Sequence, residues 1–209
     1  MLHARLLTPS QYNNTVLDLV KVAGNESKNF SGGVDTQLDD LSVELRADAA
    51  TDIATQAAAT LAQWTPCASS TAADAACEGL IIDRLGAQAY RQPLTAAQHA
   101  ALQTLFDAGV KEKDFSTGLQ WFLAGIFQSP DFLYQFAKPQ SGEVVGQVRG
   151  LAPYELASRL AYFVWDSPPD DALYMAAAAS TLGDVSAVSA QVKRMIQDPR
   201  FARGLAGFY

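Results

Sequence analysis

Helix starts punctuate this sequence from end to end, and they constrain its fold more than any other feature. Thr8-Pro9-Ser10-Gln11 sets an N-cap threonine before a proline, with a glutamine three residues after the cap. Thr95 and Gln98 repeat the capping box. Asp114, Ser129-Pro130, Ala152-Pro153, Asp170-Asp171 and Asp184 each open a further helix. No convincing set of strands, GxGxxG or P-loop motif appears between them. The expected fold is all-α, a bundle or array of about eight or nine helices without a substantial sheet.

Apolar spacing fills in the helices. Tyr12, Val16, Leu19 and Val20 follow the first start, and Gly24-Asn25 end that helix. Leu41 to Trp64 reads as one long Ala-rich helix, with Leu45, Ile53, Ala57 and Leu61 near one face. Cys77 to Leu85 is another, closed by Gly86. Leu102, Leu105 and Phe106 give the helix after Thr95 its apolar face. Phe115, Leu119, Phe122, Leu123, Ile126 and Phe127 form a wide stripe after Asp114. Leu156, Leu160, Phe163 and Val164 recur before Trp165 ends the helix that opens at Pro153. Phe201, Leu205, Phe208 and Tyr209 look like a helix that stops short. The domain reading is an N-terminal module over 1–66 with a polar loop at 25–40, and a central module over 67–137. A Gly- and Pro-bearing linker at 138–150 and a truncated C-terminal module over 151–209 complete it.

Charge and residue counts narrow the chemistry. A formal charge of -7 argues against nucleic acid, whose phosphates want clustered lysine and arginine. No stretch approaches the ~20 apolar residues of a membrane span. The start MLHARLLTPSQYNN lacks the apolar region of a secretory signal. The 2 histidines, His3 and His99, lie at a frayed start and in the first turns of a helix, which disfavours a metal, a haem or a Ser-His-Asp site. Cys67 and Cys77 either close a short loop or stand as two unpaired thiols. The intervening Ala/Ser-rich, turn-like stretch favours a disulfide, worth roughly 2–3 kcal/mol.

The candidate site residues are few. Tyr90-Arg91-Gln92-Pro93 is a corner between helices, because a proline disfavours helix in the residue before it. There Tyr90 should bury its ring, and Arg91 should satisfy carbonyls at the end of the preceding helix. A partner- or substrate-binding role for the pair is the alternative. Arg159, mid-helix among apolar neighbours, should pair with Asp170 or Glu155 or else hold an anion. The acidic pairs Asp39-Asp40 and Asp170-Asp171 read as helix caps rather than as a glycosidase pair. Asp35, Asp39 and Asp40, beside Gly32 and Gly33, could hold calcium, although not at EF-hand spacing. The aromatics from Trp121 to Trp165 read as core. Trp165 and Phe163 are expected against the Phe127–Phe136 segment.

Four segments together resemble a known family. They are RLLTPSQYNNTVLDLV (Arg5 to Val20), CEGLIIDRLGAQAYRQPLT (Cys77 to Thr95), GLQWFLAGIFQSPDFLYQF (Gly118 to Phe136) and LAPYELASRLAYFVWDSPPDDALYMAA (Leu151 to Ala177). In order and spacing they are similar to the planctomycete-type cytochrome-associated proteins, built of consecutive helical domains of unknown function. The chain departs from that pattern at Gln92, where a second arginine is usual, and at Ala152-Pro153, where two aspartates are usual. It has no CxxCH for covalent haem.

The resemblance implies a fragment of a larger periplasmic or extracellular protein, with no cofactor in this chain and haem c on a fused domain. It implies the Cys67–Cys77 disulfide and partnership with the parent's remaining modules, and it sets no oligomeric state. It assigns no catalytic residue. The expected role is a helical scaffold or interaction module without activity of its own. The alternatives are part of a redox enzyme acting on an extracellular substrate through the fused cytochrome, with a site drawing on Tyr90, Arg91, Trp165, Asp170 and Asp171, or a calcium-stabilised binding module.

Overall fold

The computed structural model describes residues 4–23, 30, 40–65, 75–136 and 150–206. Ten α-helices run through them: α1 Pro9–Val20, α2 Asp40–Ala59, α3 Ala75–Ala89, α4 Ala96–Glu112, α5 Phe115–Phe127, α6 Pro130–Leu133, α7 Pro153–Trp165, α8 Asp171–Ala178, α9 Val185–Ile196 and α10 Pro199–Ala206. The all-α reading holds, with a two-stranded ribbon, β1 Ala4–Leu6 and β2 Tyr134–Phe136, as its small sheet. No described helix is long and apolar enough to cross a membrane. The chain divides into two units, Leu6–Gln135, and Phe136–Tyr209 with Met1–Arg5.

The unit Leu6–Gln135 is built around α5, which packs on α4 and α2. Leu119, Phe122, Leu123, Ile126 and Phe127 of α5 are all buried, as their spacing predicts. The facing side of α2 is made of Ala49, Ala50, Ile53, Ala54 and Ala57. Alanine buries no polar group and loses no side-chain entropy, so an Ala-rich helix can lie close to its neighbour. Tyr12 of α1 meets Phe30 and Phe132 edge-on, with ring centroids 5.1 and 5.5 Å apart. Phe30 is buried, with the Arg46 guanidinium over its ring. The expected division at 66/67 falls inside this unit, whose single core draws on residues from both sides of it.

Two helix ends differ from expectation. α2 stops at Ala59 and gives way to a 3-10 turn, Leu61–Gln63. There Trp64 folds back, and its indole N–H donates to the Ala57 carbonyl at 3.0 Å. α3 runs through Gly86 to Ala89. Gly86 lies inside the helix, where its missing side chain leaves room for Leu94, whose Cδ1 would lie 2.8 Å from a Cβ.

The helices of the second unit lie within 150–206. Its core is small: Ala157, Ala161, Val164, Trp165, Leu173, Ala177, Leu182 and Met195. α10 packs on α7, where a Cβ on Gly204 would meet the Trp165 carbonyl carbon at 2.9 Å. Trp165 is fully buried in this core, whereas Phe163 is 79% exposed. The expected packing of both against Phe127–Phe136 is therefore corrected: Trp165 is taken up within its own unit, and Phe163 points away from its core. Trp121, read as core, is 42% exposed.

Candidate functional site

Arg91 makes three long-range hydrogen bonds in the unit Leu6–Gln135. α3 ends in a Schellman closure, the Arg91 N–H donating to the Gln88 carbonyl at 3.2 Å and the Gln92 N–H to the Ala87 carbonyl at 3.1 Å. That closure needs a left-handed residue, usually glycine, and Arg91 fills it with φ 58°. Its guanidinium is buried and donates to the carbonyls of Asp131 (2.6 Å), Phe132 (3.0 Å) and Tyr134 (2.8 Å). The expectation that Arg91 serves its own helix is corrected, since these carbonyls belong to α6 and β2. Tyr90 is buried as expected. Burial raises its hydroxyl above the ordinary tyrosine value, a bond to Ser129 opposes the shift, and the nearby Asp131 charge adds to it.

Trp165 and Asp170 share two arginine partners, Arg194 and Arg200, in the second unit. Asp170 caps α8, its Oδ1 accepting the Leu173 N–H at 3.0 Å. Arg194 of α9 grips both its oxygens, at 2.6 and 3.1 Å. Arg200 of α10 reaches Asp170 at 3.3 Å and Asp198 at 2.7 Å. The Arg200 Cζ lies 3.6 Å from the centre of the Trp165 ring, a cation–π stack. The Trp165 indole N–H donates to the Met195 carbonyl at 2.9 Å.

These contacts set the titration of the cluster. Burial would raise Asp170, but the two guanidiniums and the Leu173 N–H outweigh it and hold the carboxyl below its usual range. Hydrogen bonds from Arg200 bring Asp198 down to about 2. Both carboxylates therefore stay ionised near neutral pH and are poor proton donors. As placed, the cluster ties the C-terminal end of α7 and the start of α8 to α9 and α10.

The other candidate residues are more dispersed. Arg159 pairs with Glu155 at 2.8 Å along α7, one of its two expected partners. Asp171 is exposed in the first turn of α8. Asp40 starts α2, whereas Asp35 and Asp39 lie outside the described residues. Among the described residues no three His, Cys, Asp or Glu side chains converge as metal ligands. His99 meets Asp83 at 3.2 Å, and His3 lies outside the described residues. Cys77 is buried and no described cysteine is free, while Cys67 lies outside the description. Sequence reasoning missed Arg194, Asp198 and Arg200. The signal was the Asp-Pro-Arg at 198–200, an acid and a base flanking a helix start.

Residues 77–136 match the family described as PSD5, protein of unknown function (DUF1595). Residues 151–209 match PSD4, protein of unknown function (DUF1592). No curated protein and no solved structure matches the chain. The chain is thus similar, over two consecutive helical stretches, to two domains of unknown function. The first stretch lies almost wholly within the unit Leu6–Gln135, and the second within the unit that carries the Trp165 cluster.

Proposed function

We propose that this chain is a helical scaffold module of a larger, extracytoplasmic, cytochrome-associated protein. One observation carries the scaffold reading: the strongest polar groups hold together segments far apart in sequence. Arg91 is bound to carbonyls 40 to 43 residues on, and Asp170 to arginines 24 and 30 residues on. Groups so committed give rigidity, and a donor already bonded to the fold has little left for a substrate. The cytochrome association rests on the four resembling segments. The extracytoplasmic location rests on that resemblance, and it carries with it a Cys67–Cys77 disulfide, the state expected of an oxidising compartment.

The test is made in the native cells. Free thiols are trapped with an alkylating agent, the cells are fractionated, and proteins cross-linked to this chain are stained for covalent haem. The expected result is unalkylated cysteines, recovery outside the cytoplasm and a haem-positive adduct. Alkylated cysteines in the cytoplasmic fraction, or adducts without haem, overturn the reading.

A further inference from the structure

A groove opens in the unit Leu6–Gln135 between the end of α1, the turn that follows α2, and α3. Its volume is about 430 Å³, within the ~300–1,000 Å³ of small-molecule sites. Leu19, Ile81 and Leu85 line it and are buried, giving it an apolar floor. Leu80 stands at its edge and is 61% exposed, so a ligand that covers it removes apolar surface from water. Trp64 gives its one hydrogen-bond donor to the Ala57 carbonyl, which leaves the groove its indole surface alone.

The polar lining divides by what the fold has already used. Asp18, Arg84 and Gln88 are each engaged within the fold, so none of them selects a ligand. Lys21 differs. An ammonium carries three donors. That of Lys21 gives one to the Asp18 carbonyl at 2.8 Å, and the residue is exposed at the end of α1. Two donors and the charge remain for a ligand. Gln63, exposed in the turn, adds an amide beside them.

Charge decides the sign of that ligand. Lys21 and Arg84 against Asp18 leave the lining net positive, in a chain whose formal charge is -7. The helix ends beside the groove do not reverse this, because their carbonyls are taken. Those of Leu17 and Asp18 accept from Lys21, and those of Ala87 and Gln88 accept from Gln92 and Arg91. A cationic ligand would meet two like charges. A neutral apolar one would cover Trp64 and Leu80 but gain nothing from the Lys21 ammonium. A small inorganic anion would leave the apolar floor in water. We propose that the groove binds an organic carboxylate, its apolar body on Trp64, Leu80 and the floor and its carboxylate accepting from Lys21 and Gln63. This site is independent of the scaffold and cytochrome reading.

The test is calorimetric titration of the full chain with cinnamate and octanoate, each beside its matched alcohol, cinnamyl alcohol and octanol, and with acetate. The expected result is saturable binding of at least one of the two larger acids, at least about threefold tighter than its alcohol, with acetate inert. The body that binds, planar ring or alkyl chain, identifies the kind of acid. Lys21→Gln keeps a donor for the Asp18 carbonyl and removes the charge, so it brings the acid down to the affinity of the alcohol. Leu80 is open to water, and Leu80→Glu puts a like charge at the edge of the groove. It weakens the acid at least about threefold with Tm unchanged. Failure of both acids to bind overturns the proposal. So does an alcohol or acetate that binds as tightly as the acid, or binding of the acid that either substitution leaves unmoved.

Discussion

Arg91 stands in a backbone conformation that costs an L-residue about 1–2 kcal/mol, and its side chain explains why it is there. The guanidinium fork serves three carbonyls of α6 and β2 at once. Arg91→Ala should lower the unfolding free energy by about 3 kcal/mol, since each unmet buried acceptor costs ~1–3 kcal/mol and the chain relaxes in part. Arg91→Lys should recover only part of the loss, because one ammonium cannot reproduce the fork. Urea unfolding measures both; a midpoint unmoved by Arg91→Ala would show that the clamp holds nothing. The sequence made the corner at Tyr90-Arg91-Gln92-Pro93 legible, because proline and helix ends act locally. The partner carbonyls were not legible, because they arrive from about forty residues away through the packing of α5 and α6. The same holds for Trp165, whose partners Arg194 and Arg200 become neighbours only when α9 and α10 fold back.

At the scale of elements, helix starts were read well and helix ends less so. Thr8, Thr95, Asp114, Ser129, Asp170 and Asp184 all cap as expected, because a cap is a bond between residues two or three apart. Where a glycine falls in a helix, the meaning depends on a neighbour the sequence does not show. A Cβ on Gly109 of α4 would lie 2.7 Å from both the Gly118 Cα and the Thr117 carbonyl oxygen of α5, whereas a Cβ on Gly79 of α3 would meet nothing within 4 Å. Backbone cannot move aside as a side chain can. Gly109→Ala should therefore cost about 1–3 kcal/mol through overpacking, while Gly79→Ala should add about 0.5–1 kcal/mol through helix propensity. Thermal melts of the two variants, moving in opposite directions from the parent, check the crossing of α4 and α5. A Gly109→Ala variant as stable as the parent would mean that these helices have room to part.

The two units differ in the sign of their response to acid, and this belongs to the molecule as a whole. In Leu6–Gln135, burial raises Glu78 above its ordinary value; the Gln103 amide opposes the shift, and the charge of Asp107 adds to it. A carboxyl raised on folding contributes stability that is fully present below its unfolded value of 4.5 and is lost as pH rises through the folded value. Asp114 in the same unit is lowered by the Thr117 N–H, so it acts in the opposite sense, but only below 3.8. In the second unit, Asp170 and Asp198 are lowered and Asp184 with them. Their contribution is present above 3.8 and is lost as pH falls toward the value of about 2 that Asp198 reaches. Acidifying from pH 7 to about 4.5 should therefore strengthen the first unit and leave the second unchanged. Below 3.8 the second should weaken first. The indole N–H signals report each unit in the intact chain, Trp64 and Trp121 for Leu6–Gln135 and Trp165 for the other. Followed through urea unfolding at each pH, the Trp64 and Trp121 midpoints should rise on acidification and the Trp165 midpoint should hold, then fall. Glu78→Gln mimics the protonated acid, accepting from Gln103 and donating to Asp107. It should raise the first midpoint at pH 7 and flatten its pH dependence while leaving Trp165 untouched. If Glu78→Gln lowers that midpoint at pH 7, the ionised carboxylate is a stabilising partner of Gln103 rather than a buried charge opposed by Asp107.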